Sequence, residues 1–276
     1  MAGPLALLGA AHPAPAFVVT ALATVLAVAV GADAATTVGV CLAFAAGQLS
    51  IGWSNDWRDA ERDAASGRTD KPAANGRISR TTVGRAAAVA AVATVPLSLA
   101  MGWRAGIAHL VAVAAAWSYN FWLKSTALSW LPFALAFGLL PAVVTLALDP
   151  PLRPPAWLVG ASALLGVGAH LVNVLPDLED DRATGVNGFA HRIGRRATAV
   201  LAPAVLVAAS VLVVFGPDDA PGPAEWLGLT VAVAAAAVAA IAGASTPPRR
   251  LLALLGTAFV AATDVALLVF SGSTLH

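Results

Sequence analysis

Long apolar runs constrain this chain more than any other feature. A helix needs roughly 20 mostly apolar residues to cross about 30 Å of hydrocarbon at about 1.5 Å per residue. Nine stretches qualify, at 14–32, 35–54, 84–102, 105–123, 127–148, 156–175, 198–215, 225–245 and 251–270. With 59% apolar residues, 11% charged and a mean hydropathy of +0.80, the chain departs from soluble domains, where about a quarter of residues are charged. The expectation is an all-α fold, a multi-pass transmembrane bundle of nine helices forming a single domain over residues 1–276. Residues 1–32 contain no Lys or Arg, so the first stretch lacks the charged lead of a signal peptide and is expected to be a retained helix. Pro96, Pro141 and Pro203 fall inside these runs. Membrane helices tolerate such prolines because neighbours satisfy the freed backbone groups.

Sixteen Lys and Arg against fifteen Asp and Glu give a net charge of +1, which excludes the basic field expected of a nucleic-acid binder. The single cysteine, Cys41, excludes a disulfide framework and any CxxC motif. The distribution of cations is more informative than their sum. The loops after spans two, four, six and eight hold Arg58, Arg62, Arg68, Lys71, Arg77, Arg80 and Arg85; Lys124; Arg182, Arg192, Arg195 and Arg196; and Arg249 and Arg250. The opposite side holds Arg104 and Arg153. This asymmetry predicts that the N-terminus and the charged loops are cytoplasmic, in a plasma-membrane protein.

Eight of the acids form two short clusters on that same side. In the first, Asn55, Asp56, Asp59 and Asp63 share one stripe if the preceding helix continues, while Arg58, Glu61 and Arg62 fall off it. In the second, Asp177 and Asp181 lie one turn apart, with Asn173 a further turn back. Stripes of carboxylates repel unless a cation lies between them. Magnesium takes oxygen ligands and bridges one or two carboxylates to substrate phosphates, so this pattern suits a metal-held diphosphate. Arg68 and Lys71, in the polar loop after the first cluster, and Lys124, following Tyr119 at a cytoplasmic helix end, are placed to meet phosphate oxygens.

The chain resembles the UbiA superfamily of intramembrane prenyltransferases over nearly its whole length. Asn55-Asp56-x-x-Asp59-x-x-x-Asp63, followed by Asp70-Lys71-Pro72 and Gly76-Arg77-Ile78-Ser79, looks like the first aspartate-rich motif. Asp177-x-x-x-Asp181 with Arg182 and Gly185 is similar to the second, and Tyr119 to Lys124 to the Tyr/Lys motif between them. Asn187-Gly188-Phe189 departs from the pattern, where many members carry a Thr.

This resemblance implies an active-site mouth on the cytoplasmic side and an isoprenyl diphosphate whose apolar tail lies in the bundle, open to the bilayer. It implies Mg2+ on Asp56, Asp59, Asp63, Asp177 and Asp181, with Asn55 and Asn173 in support. Arg68, Lys71, Lys124 and Arg182 would bind phosphate, and Tyr119 would donate to the diphosphate or stabilise the cation. The acceptor in this superfamily is most often an aromatic or quinone precursor; His170, an ionisable group seven residues before Asp177 and so on the same face, is placed either to touch that acceptor or to fill a hydrogen-bonded packing role. The same motifs serve a membrane terpene synthase that ionises the diphosphate without an acceptor. His109 and Asp264 are ionisable groups within spans, for which the expected roles are packing and structural pairing. A transporter is disfavoured because nearly every span lacks charge at its middle and no internal repeat is evident.

Overall fold

The structure, a computed structural model, describes residues 3–65, 71–245 and 249–272. Among these residues it is all-helical: α1 (Gly3–Ala10), α2 (Pro13–Ala29), α3 (Ala34–Ala65), α4 (Arg80–Leu99), α5 (Trp103–Phe121), a 3-10 turn (Leu123–Ser125), α6 (Leu131–Leu146), α7 (Ala156–Val174), α8 (Leu178–Ala183), α9 (Phe189–Ile193), α10 (Arg195–Phe215), α11 (Pro223–Ala244) and α12 (Arg250–Gly272). Each of the nine predicted stretches coincides with a helix. Five helices (α3, α4, α7, α10 and α11) are long and apolar enough to cross a membrane unaided. A sixth span arises if α1 and α2, bent by 63° at their junction, are counted together.

The chain packs as two compact units. The first comprises residues 1–28, 32–122 and 143–152. Within it α3, α4 and α5 lie against one another, and α1 lies against α3. Lipid supplies no hydrophobic drive between helices, so contact depends on close approach of small residues. Ala23, Ala27, Ala43, Ala87 and Ala105 are accordingly buried, while Leu42, Val89, Val92, Ile107 and Val111 face outward. Helix α3 is capped at its start by Asp33, whose Oδ1 accepts from the Thr36 N–H at 2.7 Å. Its 32 residues span about 48 Å at about 1.5 Å per residue, well beyond the hydrocarbon thickness. The last three turns are therefore free to be polar, and the first acidic cluster lies there.

The second unit comprises residues 29–31, 123–142 and 153–276. Helices α7, α10, α11 and α12 pack around Leu158, Leu165, Leu206, Val213 and Val260. The small helices α8 and α9 pack together below the end of α7 through Leu171, Val174, Leu178 and Ala190.

Candidate functional site

The first unit brings most of its predicted residues together. Asp56, Asp59 and Asp63 lie along one face of α3 and are 1%, 5% and 6% exposed. Three buried carboxylates need positive charge nearby, and the chain supplies it. Lys71 Nζ sits 3.3 Å from Asp56 Oδ1 and 3.1 Å from Asp63 Oδ2, and donates to Asn55 Oδ1 at 3.4 Å. Arg62 lies 2.8 Å from Asp59 Oδ2 and 3.6 Å from Asp63 Oδ1. The helical-wheel expectation that Arg62 points elsewhere is thus corrected: its Cα is off the stripe, but its long stem carries the guanidinium one turn back onto it. Glu61 instead pairs with Arg80, whose guanidinium also rests over Trp57. Asn55 donates to Asn120 Oδ1 at 3.2 Å and to Asp59 Oδ2 at 3.4 Å. Asn120 is itself fixed by bonds to Ile51 O at 3.1 Å and Ser54 Oγ at 2.9 Å. Tyr119 precedes it on α5 and is half-buried. Arg68 lies outside the described residues.

One further contact in this unit was absent from the sequence expectations. His12, at the turn between α1 and α2, places Nε2 3.3 Å from Asp56 Oδ1. Nothing in an apolar N-terminal stretch pointed to an acid 44 residues away.

Two observations test whether this stripe fits a divalent ion. Asp56 Oδ2 is buried and has no hydrogen-bond partner among the described residues. An ammonium, Lys71 Nζ, is held by three oxygens from Asn55, Asp56 and Asp63, a donor set that a hard cation also accepts. Among the described residues no three acids, histidines or cysteines converge into a closed cage. Magnesium seldom uses such a cage, keeping waters and substrate phosphates as ligands instead.

The second unit builds its cluster differently. The predicted single helical face from Asn173 through Asp181 is interrupted: α7 ends at Val174 and α8 begins at Leu178. Pro176 contributes to the break because it lacks an N–H for the next helical hydrogen bond, although Leu175 itself keeps helical backbone at φ −59° and ψ −40°. Asn173 is exposed on the last turn of α7, before the break. Asp177 and Asp181 do remain one turn apart, with the Asp181 N–H donating to Asp177 O at 2.8 Å.

His191 on α9 meets this cluster. Its Nδ1 accepts from the Gly188 N–H at 3.2 Å, which leaves the proton on Nε2, 3.5 Å from Asp181 Oδ2. Burial lowers the His191 pKa below its usual 6.5 against the upward pull of Asp181, and the charges of Arg182 and Lys124 lower it further. Arg182 also donates to the His191 carbonyl. Lys124 belongs to the same neighbourhood: its backbone oxygen lies so close to Gly188 that a Cβ there would stand 2.6 Å away.

The remaining ionisable groups are buried in polar contacts. His170 is 1% exposed, with Nε2 3.1 Å from Ser129 Oγ and its ring against Phe133. The same Ser129 Oγ accepts from the Phe189 N–H at 2.9 Å, which ties α9 to the His170 contact. His109 Nδ1 bonds Ser98 Oγ at 2.7 Å and its ring lies tilted against Phe44. Asp264 on α12 accepts from Ser210 on α10, a partner that its sequence neighbourhood does not reveal.

The profile of the UbiA prenyltransferase family matches residues 16–254. No curated protein matches the chain. Among solved structures, a UbiA homologue from Archaeoglobus fulgidus bound to GPP and Mg2+ superposes with a TM-score of 0.71 at 15% identity, covering 98% of this chain and 100% of that one. A structure described as digeranylgeranylglyceryl phosphate synthase in membranes gives a TM-score of 0.69 at 15% identity, covering 100% of both chains. An apo UbiA homologue from Aeropyrum pernix K1 gives 0.68 at 17% identity, covering 90% and 96%. At these identities the likeness is one of fold.

Proposed function

Because the chain belongs to the UbiA prenyltransferase family, we propose that it transfers a prenyl group from an isoprenyl diphosphate to an acceptor within the membrane, with Mg2+ as cofactor. The observation that carries this reading is the stripe of three buried carboxylates on α3, two of which, Asp56 and Asp63, hold the Lys71 ammonium between them. Structures of relatives bound to GPP or DMAPP with Mg2+ support the choice of ligand and ion. The family match spans both compact units, which supports one domain. The nine helices at the predicted stretches and the cation asymmetry support nine spans in the plasma membrane, a cytoplasmic N-terminus and a cytoplasmic active-site mouth.

In this reading Asp56, Asp59, Asp63, Asp177 and Asp181 hold the ions, with Asn55 and Asn173 in support. Bound magnesium neutralises the diphosphate and makes it a better leaving group. Lys71, Lys124, Arg68 and Arg182 add cationic donors to the phosphate oxygens, as developing anionic charge requires. Arg62 pairs with Asp59 and Asp63, and Asn120 fixes the amide of Asn55. The allylic carbon–oxygen bond breaks with its electron pair leaving on the diphosphate. The apolar helix faces exclude water from the carbocation, and Tyr119 is assigned to stabilise it or to donate to the diphosphate. An aromatic or quinone-precursor carbon then attacks, and the adduct sheds a proton. His170 is assigned to the acceptor side.

The test uses the purified chain in lipid with magnesium and a series of allylic diphosphates, following diphosphate release. Release that depends on magnesium and on an added acceptor extract is expected, with the prenylated product identifying the acceptor. A discrete terpene formed without acceptor would replace transfer by cyclisation. Absence of magnesium-dependent release with every diphosphate would overturn both.

A further inference from the structure

His12 is the one ionisable residue in the first 32, and the fold goes to some length to place it. It precedes Pro13, which opens α2 and bars helical backbone at residue 12. The chain answers with φ 51° at His12, a left-handed conformation that His tolerates better than most residues. The turn is then pressed onto α3: a Cβ on Gly52 would lie 2.1 Å from the Ala11 carbonyl oxygen, so only glycine permits the approach. One turn further along α3 is Asp56. Trp53 Nε1 donates to Leu7 O at 2.8 Å, and Ala6 and Ala10 of α1 are buried with Ile78, Val83, Trp53 and Trp57. A Cβ on Gly9 would stand 3.2 Å from Pro72 Cγ, so α1 also backs the residue after Lys71. These anchors fix the turn without calling for an imidazole. Yet the His12 Nε2 is buried, and it stands 3.3 Å from Asp56 Oδ1 without hydrogen-bond alignment.

We propose that the turn between α1 and α2 is part of the diphosphate site, with His12 a positioning residue that engages Oδ1 of Asp56 and leaves the buried Oδ2 for the metal. The inference rests on the magnesium–diphosphate reading above. An imidazole N–H on the outer oxygen of a ligating carboxylate fixes its orientation and raises metal affinity. Contacts of this kind are often long in the ligand-free state and tighten on binding.

Mn2+ binding, followed by electron paramagnetic resonance on the full chain in lipid nanodiscs without substrate, tests this directly. His12→Ala is expected to weaken Mn2+ binding by about 10-fold. It should raise the magnesium concentration needed for half-maximal diphosphate release by a similar factor, with the rate at saturating magnesium within about 2-fold of the native chain. Gly52→Ala retains every polar side chain but pushes the turn away, and should reproduce the weakening. The double variant should lose no more than either single one. Mn2+ binding by His12→Ala within about 2-fold of the native chain overturns the proposal. If that variant does not fold, unchanged binding in Gly52→Ala overturns it equally. A native chain that neither binds Mn2+ nor releases diphosphate overturns the functional reading itself.

Discussion

Along α3 the aspartates at 56, 59 and 63 ride on one unbroken helix, are nearly excluded from solvent, and are neutralised by Lys71 and Arg62. At the end of α7 the helix is interrupted around Pro176, Asp181 keeps 23% of its side-chain surface exposed, and an imidazole, that of His191, rather than an ammonium faces it. The same chemistry, paired acids one turn apart, is thus built once on a continuous, charge-compensated helix and once on a short helix that follows a break. The first arrangement stores its counterions inside the protein.

The comparison breaks first at the acids themselves. Asp59→Asn and Asp181→Asn are each expected to cut magnesium-dependent diphosphate release at least about 100-fold; full turnover in either folded variant would remove that cluster from the site. Next in size is Pro176→Ala, which permits α7 to run into α8 and shifts Asp177. Turnover should fall about 10- to 100-fold while helical content by circular dichroism does not decrease; unchanged turnover would show that the break has no role.

Lys71→Met separates the clusters by stability. It leaves Asp56 and Asp63 buried without their ammonium, and the metal-free chain should lose about 3 kcal/mol, recovered in part on adding magnesium. Arg182→Met, at the exposed end of α8, should change the melting temperature little. Thermal unfolding with and without magnesium measures both.

The smallest effect lies at the other end of α3. Hydrogen bonds from the Thr36 N–H lower the Asp33 pKa below its usual 3.8. A depressed folded pKa stabilises above the unfolded value and is lost as pH falls through the folded one. Asp33→Ala should therefore melt slightly earlier than the native chain at pH 7, the gap closing as the pH falls below the usual carboxylate 3.8 and through the depressed folded value. A gap that persists there would show that the cap is not electrostatic.

Hydrophobic length made the helices legible from composition alone: all nine predicted stretches are helical to within a few residues, because a bilayer admits few other solutions. Helix α1 escaped because eight apolar residues are too short to count and run on into α2. In the site, Lys71 was legible from its place just after the acids. Arg62 was not, because side-chain reach is not a property of helical periodicity. His12 and His191 meet their aspartates only through tertiary contacts, Gly52 against Ala11 in one case and the α9 turn in the other. Pro176 was visible, but its effect on Asn173 depended on whether the helix would bend or end.

Helix α3 has one more property as a mechanical part. With about 48 Å of rod for about 30 Å of hydrocarbon, roughly 18 Å of lever carries the acids beyond the bilayer. A thinner membrane tilts such a rod, and a change of about 10° swings the lever's tip by about 3 Å. On the proposed function, acyl-chain length in the surrounding lipid thus becomes a setting of the aspartate stripe, and turnover is expected to vary with bilayer thickness.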